Sequence, residues 1–160
     1  MVMEEIPRWL SAEEEQAWRG FVRMHDRLRF RLGRELQAES GLSFADYAVL
    51  VELTDVPEGR RRFLELARAV EWEKSRTSHH IARMAKRGLV VREECPEDGR
   101  GAFVVITPVG RAALEAAAPR HVAAVRRAFI DRLSPQEVRV LADLSRRVLG
   151  DLDEQDDGCG

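Results

Sequence analysis

Apolar residues recur every three or four positions through most of this chain, which is the spacing of one face of an amphipathic helix. The first run ends near Gly41 and predicts a single long helix, with Ser11 and Glu14 at the spacing of a capping box. A second, shorter helix is predicted from Ser43 to a turn at residues 56–59. The positions on the apolar face of the first helix are Trp18, Phe21, Val22, His25, Leu28, Leu32 and Leu36.

The pattern becomes shorter and more varied in the middle of the chain. Apolar spacing predicts a brief helix around Leu66 and another over residues 74–87, which ends at Gly88 because glycine accepts left-handed backbone. Two strands are predicted next, over residues 89–94 and 102–106, with a polar turn between them. Two helices followed by a two-stranded ribbon are typical of a winged helix-turn-helix.

Two further helix starts follow the predicted ribbon. Thr107 and Pro108 have the order of a capping residue and a first helical proline, and Ser134 and Pro135 repeat it. Two long amphipathic helices are therefore predicted, the second ending near Gly150. The fold class expected is mainly α, with a small β-hairpin wing on a winged helix-turn-helix head.

The helices at the two ends of the chain have more apolar surface than a small head can cover. We therefore expect them to form a dimerisation region, so that a homodimer presents two heads to one duplex. An intramolecular helical cap on a monomer is the alternative. The predicted organisation has N-terminal helices over residues 11–56, the winged head over 57–107, C-terminal dimerisation helices over 108–150 and an acidic, disordered tail over 151–160.

Charge is distributed unevenly along the chain. The formal net charge is −2, but residues 57–110 carry 11 Lys and Arg against 8 Asp and Glu, so the head is at +3 and the remainder at −5. This distribution favours contact between the head and phosphate groups. The sequence has no apolar run long enough to span a membrane, and its two cysteines, Cys95 and Cys159, form no disulfide framework. A cytoplasmic protein is expected.

Motifs for catalysis and for cofactor binding are absent from the sequence. It contains no glycine-rich phosphate loop, no nucleophile elbow and no HExxH, so we expect neither an enzyme nor a cofactor. The histidines are dispersed, and no clustered set of zinc ligands is visible, so no metal site is predicted. The four are His25, His79, His80 and His121.

The helix over residues 74–87 has the composition of a DNA-reading helix. Ile81 and Met84 are expected to be buried, and Trp72 in the preceding turn is expected to pack in the core and fix the angle between the helices. The opposite face would present side chains, first-turn amides and the positive end of the helix dipole to DNA. The predicted contact residues are Lys74, Ser75, Arg76, Ser78, His79 and Arg83.

Different roles are expected on that face. Arg76 and His79 are predicted to reach base edges, because both can donate to guanine acceptors. Lys74 and Arg83 are predicted to hold phosphates. His80 should turn inward as a packed core histidine.

The turn between the two strands carries a second candidate contact. Arg100 lies near a glycine-flanked tip and is expected to enter the minor groove, with Asp98 bracing it. A surface turn with an incidental ion pair is the alternative.

These residues resemble the MarR family of transcriptional regulators. Asp98-Gly99-Arg100, followed by Val104, Ile106, Thr107 and Gly110, has the spacing of that family's wing signature, and residues 87–90 match the end of its recognition helix. The resemblance implies a homodimer with recognition helices in successive major grooves, wing arginines in the minor groove and a pseudo-palindromic operator. It also implies repression relieved by a small ligand.

Family members often bind small aromatic or phenolic anions, and His25, Arg29 and Tyr47 are candidates to line such an effector pocket. The sequence departs from the family at Glu73, where a Ser or Thr helix cap is usual, although a carboxylate can still accept those amides. Redox sensing through Cys95 is a minor alternative. A winged-helix module for protein–protein contact is the alternative function, and the basic face of the reading helix argues against it.

Overall fold

The computed structural model describes residues 7–94 and 101–157, with the side chains of 156 and 157 excepted. The described part is mostly helical and contains a small antiparallel sheet, which confirms the predicted fold class. Its elements are α1 (Ala12–Ser40), α2 (Phe44–Thr54), β1 (Arg60–Arg62), α3 (Phe63–Ala69), α4 (Lys74–Lys86), β2 (Val90–Glu94), β3 (Ala102–Ile106), α5 (Pro108–Ala128), a 3₁₀ turn (Ile130–Arg132) and α6 (Pro135–Asp157).

Helix boundaries follow local capping chemistry. At the start of α1, the Ser11 hydroxyl accepts the Glu14 amide at 3.1 Å, and the Glu14 carboxylate accepts the Ser11 amide at 2.8 Å. The same reciprocal pair joins Ser134 and Glu137 before α6. The helix α1 ends at Gly41, whose φ of 70° is strained for residues with a Cβ. These predicted boundaries are confirmed.

The sheet has one more strand than the sequence predicts. Its order is β1-β3-β2, with both neighbours antiparallel to β3. Arg60 and Arg62 alternate onto one face of β1, and their guanidinium carbons lie 4.1 and 5.0 Å from the centre of the Phe103 ring. Three consecutive arginines show no alternation of apolar and polar residues, so the sequence pattern does not predict this strand. It is stabilised by pairing with β3 and by the cation–π contacts with Phe103.

The chain divides into two compact units, Met1–Ala118 and Pro119–Gly160. In the first, α2, α3, α4 and the sheet enclose one apolar core, so the two N-terminal helices share a unit with the head rather than forming a separate domain. Side chains at its centre are fully buried: Leu50, Leu53, Leu66, Met84 and Val104.

The start of α5 is fixed against the end of α4 within the first unit. The Thr107 hydroxyl donates to the Gly88 carbonyl at 2.5 Å and accepts the Gly110 amide at 3.0 Å. The Thr107 amide donates to the Leu89 carbonyl at 3.1 Å. A Cβ at Gly110 would lie 2.1 Å from that Leu89 oxygen, so only glycine fits this approach.

The second unit contains α6, which corrects the predicted tail. The helix continues through Gly150 to Asp157, so residues 151–157 are helical rather than disordered. Its apolar side chains are about half exposed in the single chain: Val140, Leu144, Val148 and Leu152. Within residues 7–94 and 101–157, no helix combines the length and apolarity needed to cross a bilayer.

Candidate nucleic-acid interface

The helix α4 has one buried face and one exposed, polar face. Thr77, His80, Ile81 and Met84 are buried against the core of the first unit. The residues of α4 predicted to contact DNA lie on the other side. Ser78 is half-buried, and the exposed ones are Lys74, Ser75, Arg76, His79 and Arg83. The structure therefore brings the sequence-predicted set together on one surface.

The N-terminus of α4 corrects the expectation for Glu73. In the described part of the chain, this residue forms no side-chain cap, so its carboxylate does not accept the first-turn amides. Its carbonyl instead accepts the Thr77 hydroxyl at 2.9 Å and the Thr77 amide at 3.0 Å. The first turn thus faces solvent beside Lys74 and Ser75, with the positive end of the helix dipole.

Trp72 forms a platform beneath Arg76. The guanidinium carbon of Arg76 lies 4.5 Å from the centre of the indole ring, a distance at which the cation is attracted to the π face. The His80 ring also contacts the indole, with the two ring centres 5.2 Å apart and the ring planes at 79°. Trp72 also packs against the core, as predicted. The stack restricts where the Arg76 side chain can point.

A buried carboxylate on α2 anchors α4 from below. Asp46 is only 3% exposed, and its Oδ2 accepts the Arg87 Nη1–H at 2.6 Å and the Ser43 amide at 2.9 Å. Its Oδ1 lies 2.9 Å from Nε2 of His80. This is a close contact between the ring and the carboxylate without the geometry of a hydrogen bond. His80 is buried, as predicted.

These contacts set the protonation state of Asp46. Burial alone raises the pKa of its carboxyl, but the close His80 ring and the hydrogen bonds from Arg87 and the Ser43 backbone outweigh burial and hold that pKa well below its usual range. Asp46 is absent from the sequence-based set of functional residues. Its spacing from Ser43 is that of a capping pair, but the sequence gives no sign of partners on another helix.

Arg83 and Arg87 continue this network to the surface. Arg83 Nη2 lies 3.1 Å from Nδ1 of His80, and Arg87 Nη2 donates to the Gly41 carbonyl at 2.8 Å. The side chain of Arg87 is 44% exposed, whereas that of Asp46 is 4% exposed. A continuous set of polar contacts therefore joins the α1–α2 corner to the exposed face of α4.

The predicted wing contacts, Asp98 and Arg100, lie outside the described residues, as does Cys95. The described strands end at Glu94 and Ala102, which are paired with each other in the antiparallel register of β2 and β3. The roles of Asp98, Arg100 and Cys95 stay predictions.

The predicted effector residues have different surroundings. His25 is exposed and lies 3.5 Å from the Asp26 carboxylate. The guanidinium carbon of Arg29 lies 5.1 Å from the centre of the Phe44 ring. Tyr47 packs half-buried against the core, and burial raises the pKa of its hydroxyl. A shallow cavity of about 500 Å³ lies nearby, and its lining is a different set: Phe30, Gly33, Arg34, Gln37, Ala38, Ser43 and Phe44.

The histidines do not gather into a metal centre in the part of the chain that the structure describes, where no three potential ligands from His, Cys, Asp and Glu cluster. His79 and His80 are adjacent on α4, and one is exposed whereas the other is buried. Burial lowers the pKa of His121 on α5.

A core of packed helices, a three-stranded sheet and an exposed cationic helix define the class: a winged helix-turn-helix protein. A family model described as MarR family matches residues 40–101. The transcriptional regulator HosA of Escherichia coli O111:H- is 34% identical over 108 residues, which cover 68% of this chain and 78% of HosA.

Two solved structures from Streptomyces coelicolor are similar over almost the whole chain. The MarR family regulator AbsC is 39% identical with a TM-score of 0.86, and the match covers 92% of this chain and 99% of AbsC. The MarR family regulator Sco3205, solved in complex with DNA, is 42% identical with a TM-score of 0.86, and the match covers 91% of each chain. The chain belongs to the MarR family of transcriptional regulators. The predicted family is thereby confirmed, and it is a family of regulators rather than enzymes.

Proposed function

We propose that this protein is a sequence-specific repressor that binds a pseudo-palindromic operator as a homodimer, with α4 in the major groove and the wing arginine in the minor groove. The exposed face of α4 is the observation that carries the proposal. It gathers three cationic side chains and a histidine on a helix whose opposite face is packed into the core. The DNA complex of Sco3205 supports the same use of this fold.

The residues on this face have distinct proposed roles. Arg76, held over the Trp72 ring, reads a base edge together with His79, because a guanidinium can donate two hydrogen bonds to guanine. Lys74 and Arg83 contact backbone phosphates that flank the bases read by Arg76 and His79. Ser75 and Ser78 add hydroxyl and backbone donors at the first turns, and Asp98 braces Arg100 on the wing.

The proposed homodimer rests on apolar surface at both ends of the chain. On α1, Trp18 is 58% exposed and Phe30 is 69% exposed. On α6, an apolar face repeats at helical spacing and stays about half exposed, including Leu144 and Val148. Patches of this kind mark association surfaces on soluble domains. A second copy of the same chain would cover them and set the spacing of two heads on one duplex.

Regulation by a small aromatic or phenolic anion is the mode we propose for release from DNA. The Arg29 guanidinium lies over the Phe44 ring, which offers a cation beside an aromatic face. Tyr47 follows Phe44 by one helical turn and His25 precedes Arg29 by one, so all four fall on two neighbouring helices. A thermal-shift screen of phenolic acids, followed by competition against bound DNA, tests this mode.

Fluorescence anisotropy with duplexes selected from genomic fragments tests the DNA-binding function. Arg76→Ala should cost about 1–3 kcal/mol at one base position and relax the preference there, because a bidentate contact carries sequence information. Arg83→Ala should weaken all duplexes alike and reduce the salt slope by about 1.

Arg31→Ala is the matched control, since it removes one exposed positive charge from α1, where Arg31 pairs with Glu35. Its affinity for DNA should equal that of the wild type. If the two α4 variants bind as tightly as this control, the reading role of α4 is wrong. If the wild-type protein binds another protein but no DNA duplex, the chain is a protein-interaction module and the proposed function is wrong.

A further inference from the structure

The inference concerns His80, a buried side chain that lies between α2 and the exposed face of α4. The residue is 8% exposed. Its Nε2 lies 2.9 Å from Asp46 Oδ1, and its Nδ1 lies 3.1 Å from Arg83 Nη2. One imidazole thus spans the distance from a buried carboxylate to an exposed guanidinium.

The partners of the ring determine where its proton lies. A guanidinium has only donors, so the contact with Arg83 requires an unprotonated Nδ1 that accepts. The other ring nitrogen, Nε2, lies 2.9 Å from the Asp46 carboxylate. The two nitrogens of His80 therefore have different partners, an exposed guanidinium and a buried carboxylate.

Asp46 is itself held in place and gives the ring a fixed support. Its other oxygen accepts both the Arg87 guanidinium and the Ser43 amide that begins α2. The ring also packs nearly perpendicular to the Trp72 indole, with the ring centres 5.2 Å apart. These contacts leave His80 little freedom to rotate.

We propose that His80 is a positioning residue for DNA recognition, which holds the exposed Arg83 guanidinium in place for phosphate contact without touching DNA itself. A free arginine side chain samples many rotamers, and one hydrogen bond to a fixed acceptor removes much of that freedom before DNA arrives. The remaining guanidinium donors stay available for phosphate. This inference rests on the proposed function of α4.

Two substitutions separate the two nitrogens of the ring. In His80→Asn, the amide oxygen is as many bonds from the backbone as Nδ1, so it can still accept from Arg83, but the side chain is too short for Asp46. In His80→Gln, the amide nitrogen matches Nε2 and can reach Asp46, but the side chain has no atom at the position of Nδ1 to accept from Arg83. Both variants leave the predicted contact residues unchanged.

The experiment measures the affinity of the full-length protein for a selected operator duplex and an unrelated duplex over a range of salt concentrations. Arg83→Ala is the reference, with an expected loss of about tenfold on both duplexes and a salt slope lower by about 1. His80→Gln should reproduce most of that loss and of the change in slope. His80→Asn should keep the wild-type slope and bind within about twofold.

The double variant His80→Gln/Arg83→Ala should bind no more weakly than Arg83→Ala alone, since both changes remove one interaction. Fully additive losses, equal behaviour of the Asn and Gln variants, or an Arg83→Ala variant with wild-type affinity would each overturn the inference. Absence of DNA binding by the wild type would instead overturn the proposed function, and the inference with it.

Nitrogen NMR of the wild-type protein gives a second test that does not depend on a variant folding. Two-bond proton–nitrogen spectra distinguish a protonated Nε2 from a protonated Nδ1. We expect the His80 ring to be neutral, with the proton on Nε2. A proton on Nδ1 would exclude an acceptor for Arg83 and overturn the inference.

Discussion

At the scale of single residues, Asp46 connects stability with the proposed DNA-contact face of α4. It is a carboxylate with almost no solvent contact, and it stays charged because an arginine, a histidine and a backbone amide surround it. A buried charge of this kind contributes to stability only while its partners are present. Arg87 is half exposed, which reduces the energy of this ion pair by solvent screening.

We expect Asp46→Asn to lower the free energy of unfolding by about 2–3 kcal/mol at neutral pH, because the amide cannot replace the charge-assisted hydrogen bonds to Arg87. Chemical denaturation followed by circular dichroism measures the change. Asp26→Asn is the control, since its carboxylate is exposed on α1, and it should unfold like the wild type.

The difference in unfolding free energy between the wild type and Asp46→Asn should depend on pH. Folding lowers the pKa of Asp46 from its ordinary value of 3.8, so its stabilising effect is complete above that value and is lost as the pH falls towards the lower, folded pKa. The stability difference between wild type and Asp46→Asn should be constant above about pH 5 and shrink below about pH 4. An equal difference at pH 3 and pH 7 would contradict this assignment.

At the scale of elements, the connection from α4 through the sheet to α5 depends on close backbone approach. Gly110 lies against the Leu89 carbonyl and the Ile106 side chain, and a Cβ would meet both. Any residue larger than glycine at position 110 would therefore keep the first turn of α5 from approaching the end of α4 this closely. This packing fixes where α4 ends and where the strand β2 begins.

Gly110→Ala should destabilise the protein by about 3 kcal/mol, since its Cβ would overlap backbone rather than a flexible side chain. Gly150→Ala on α6 is the matched control. A Cβ there would meet open space among the described atoms, so removing a helical glycine should raise stability by up to about 1 kcal/mol. Thermal melts of both variants test the contrast, and equal melting temperatures would show that α5 adjusts freely.

The elements also show how far sequence reasoning extends. Capping residues such as Ser11 and Ser134 act within one turn, so their helix starts could be predicted from spacing alone. The inward direction of His80 followed from helical periodicity in the same way. The contact between His80 and Asp46 could not be predicted in this way, because Asp46 is on another helix and only folding brings the two residues together. β1 was missed for the same reason, since its strand geometry comes from pairing with β3.

At the scale of the whole molecule, the distribution of surface types separates two tasks. The helix α4 carries four cationic side chains and no acidic one, whereas exposed apolar side chains concentrate on α1 and α6. The net charge of −2 conceals this separation, because acidic residues elsewhere outnumber the basic residues of the head. The proposed dimer and the proposed DNA contact therefore use different parts of the chain and can be tested independently.

Leu144→Asp should weaken the dimer by more than about tenfold, because it would place a charge within the apolar face of α6, where the leucine is 45% exposed in the single chain. Sedimentation equilibrium at micromolar concentrations measures the change. Arg139→Asp puts the same acid on the opposite side of the helix and should leave the dimer intact. A wild-type protein that sediments only as a monomer would contradict the proposed assembly.

Thr107 has a consequence for the proposed regulation of DNA binding. One hydroxyl hydrogen-bonds both the carbonyl of Gly88, just after α4, and the first turn of α5. A movement of the first turn of α5 would therefore displace the end of α4 or break this hydrogen bond. The Thr107 hydroxyl shares that connection with the Thr107 amide and with Gly110, both of which contact Leu89, and it is the part that valine, with the same branched shape, would remove.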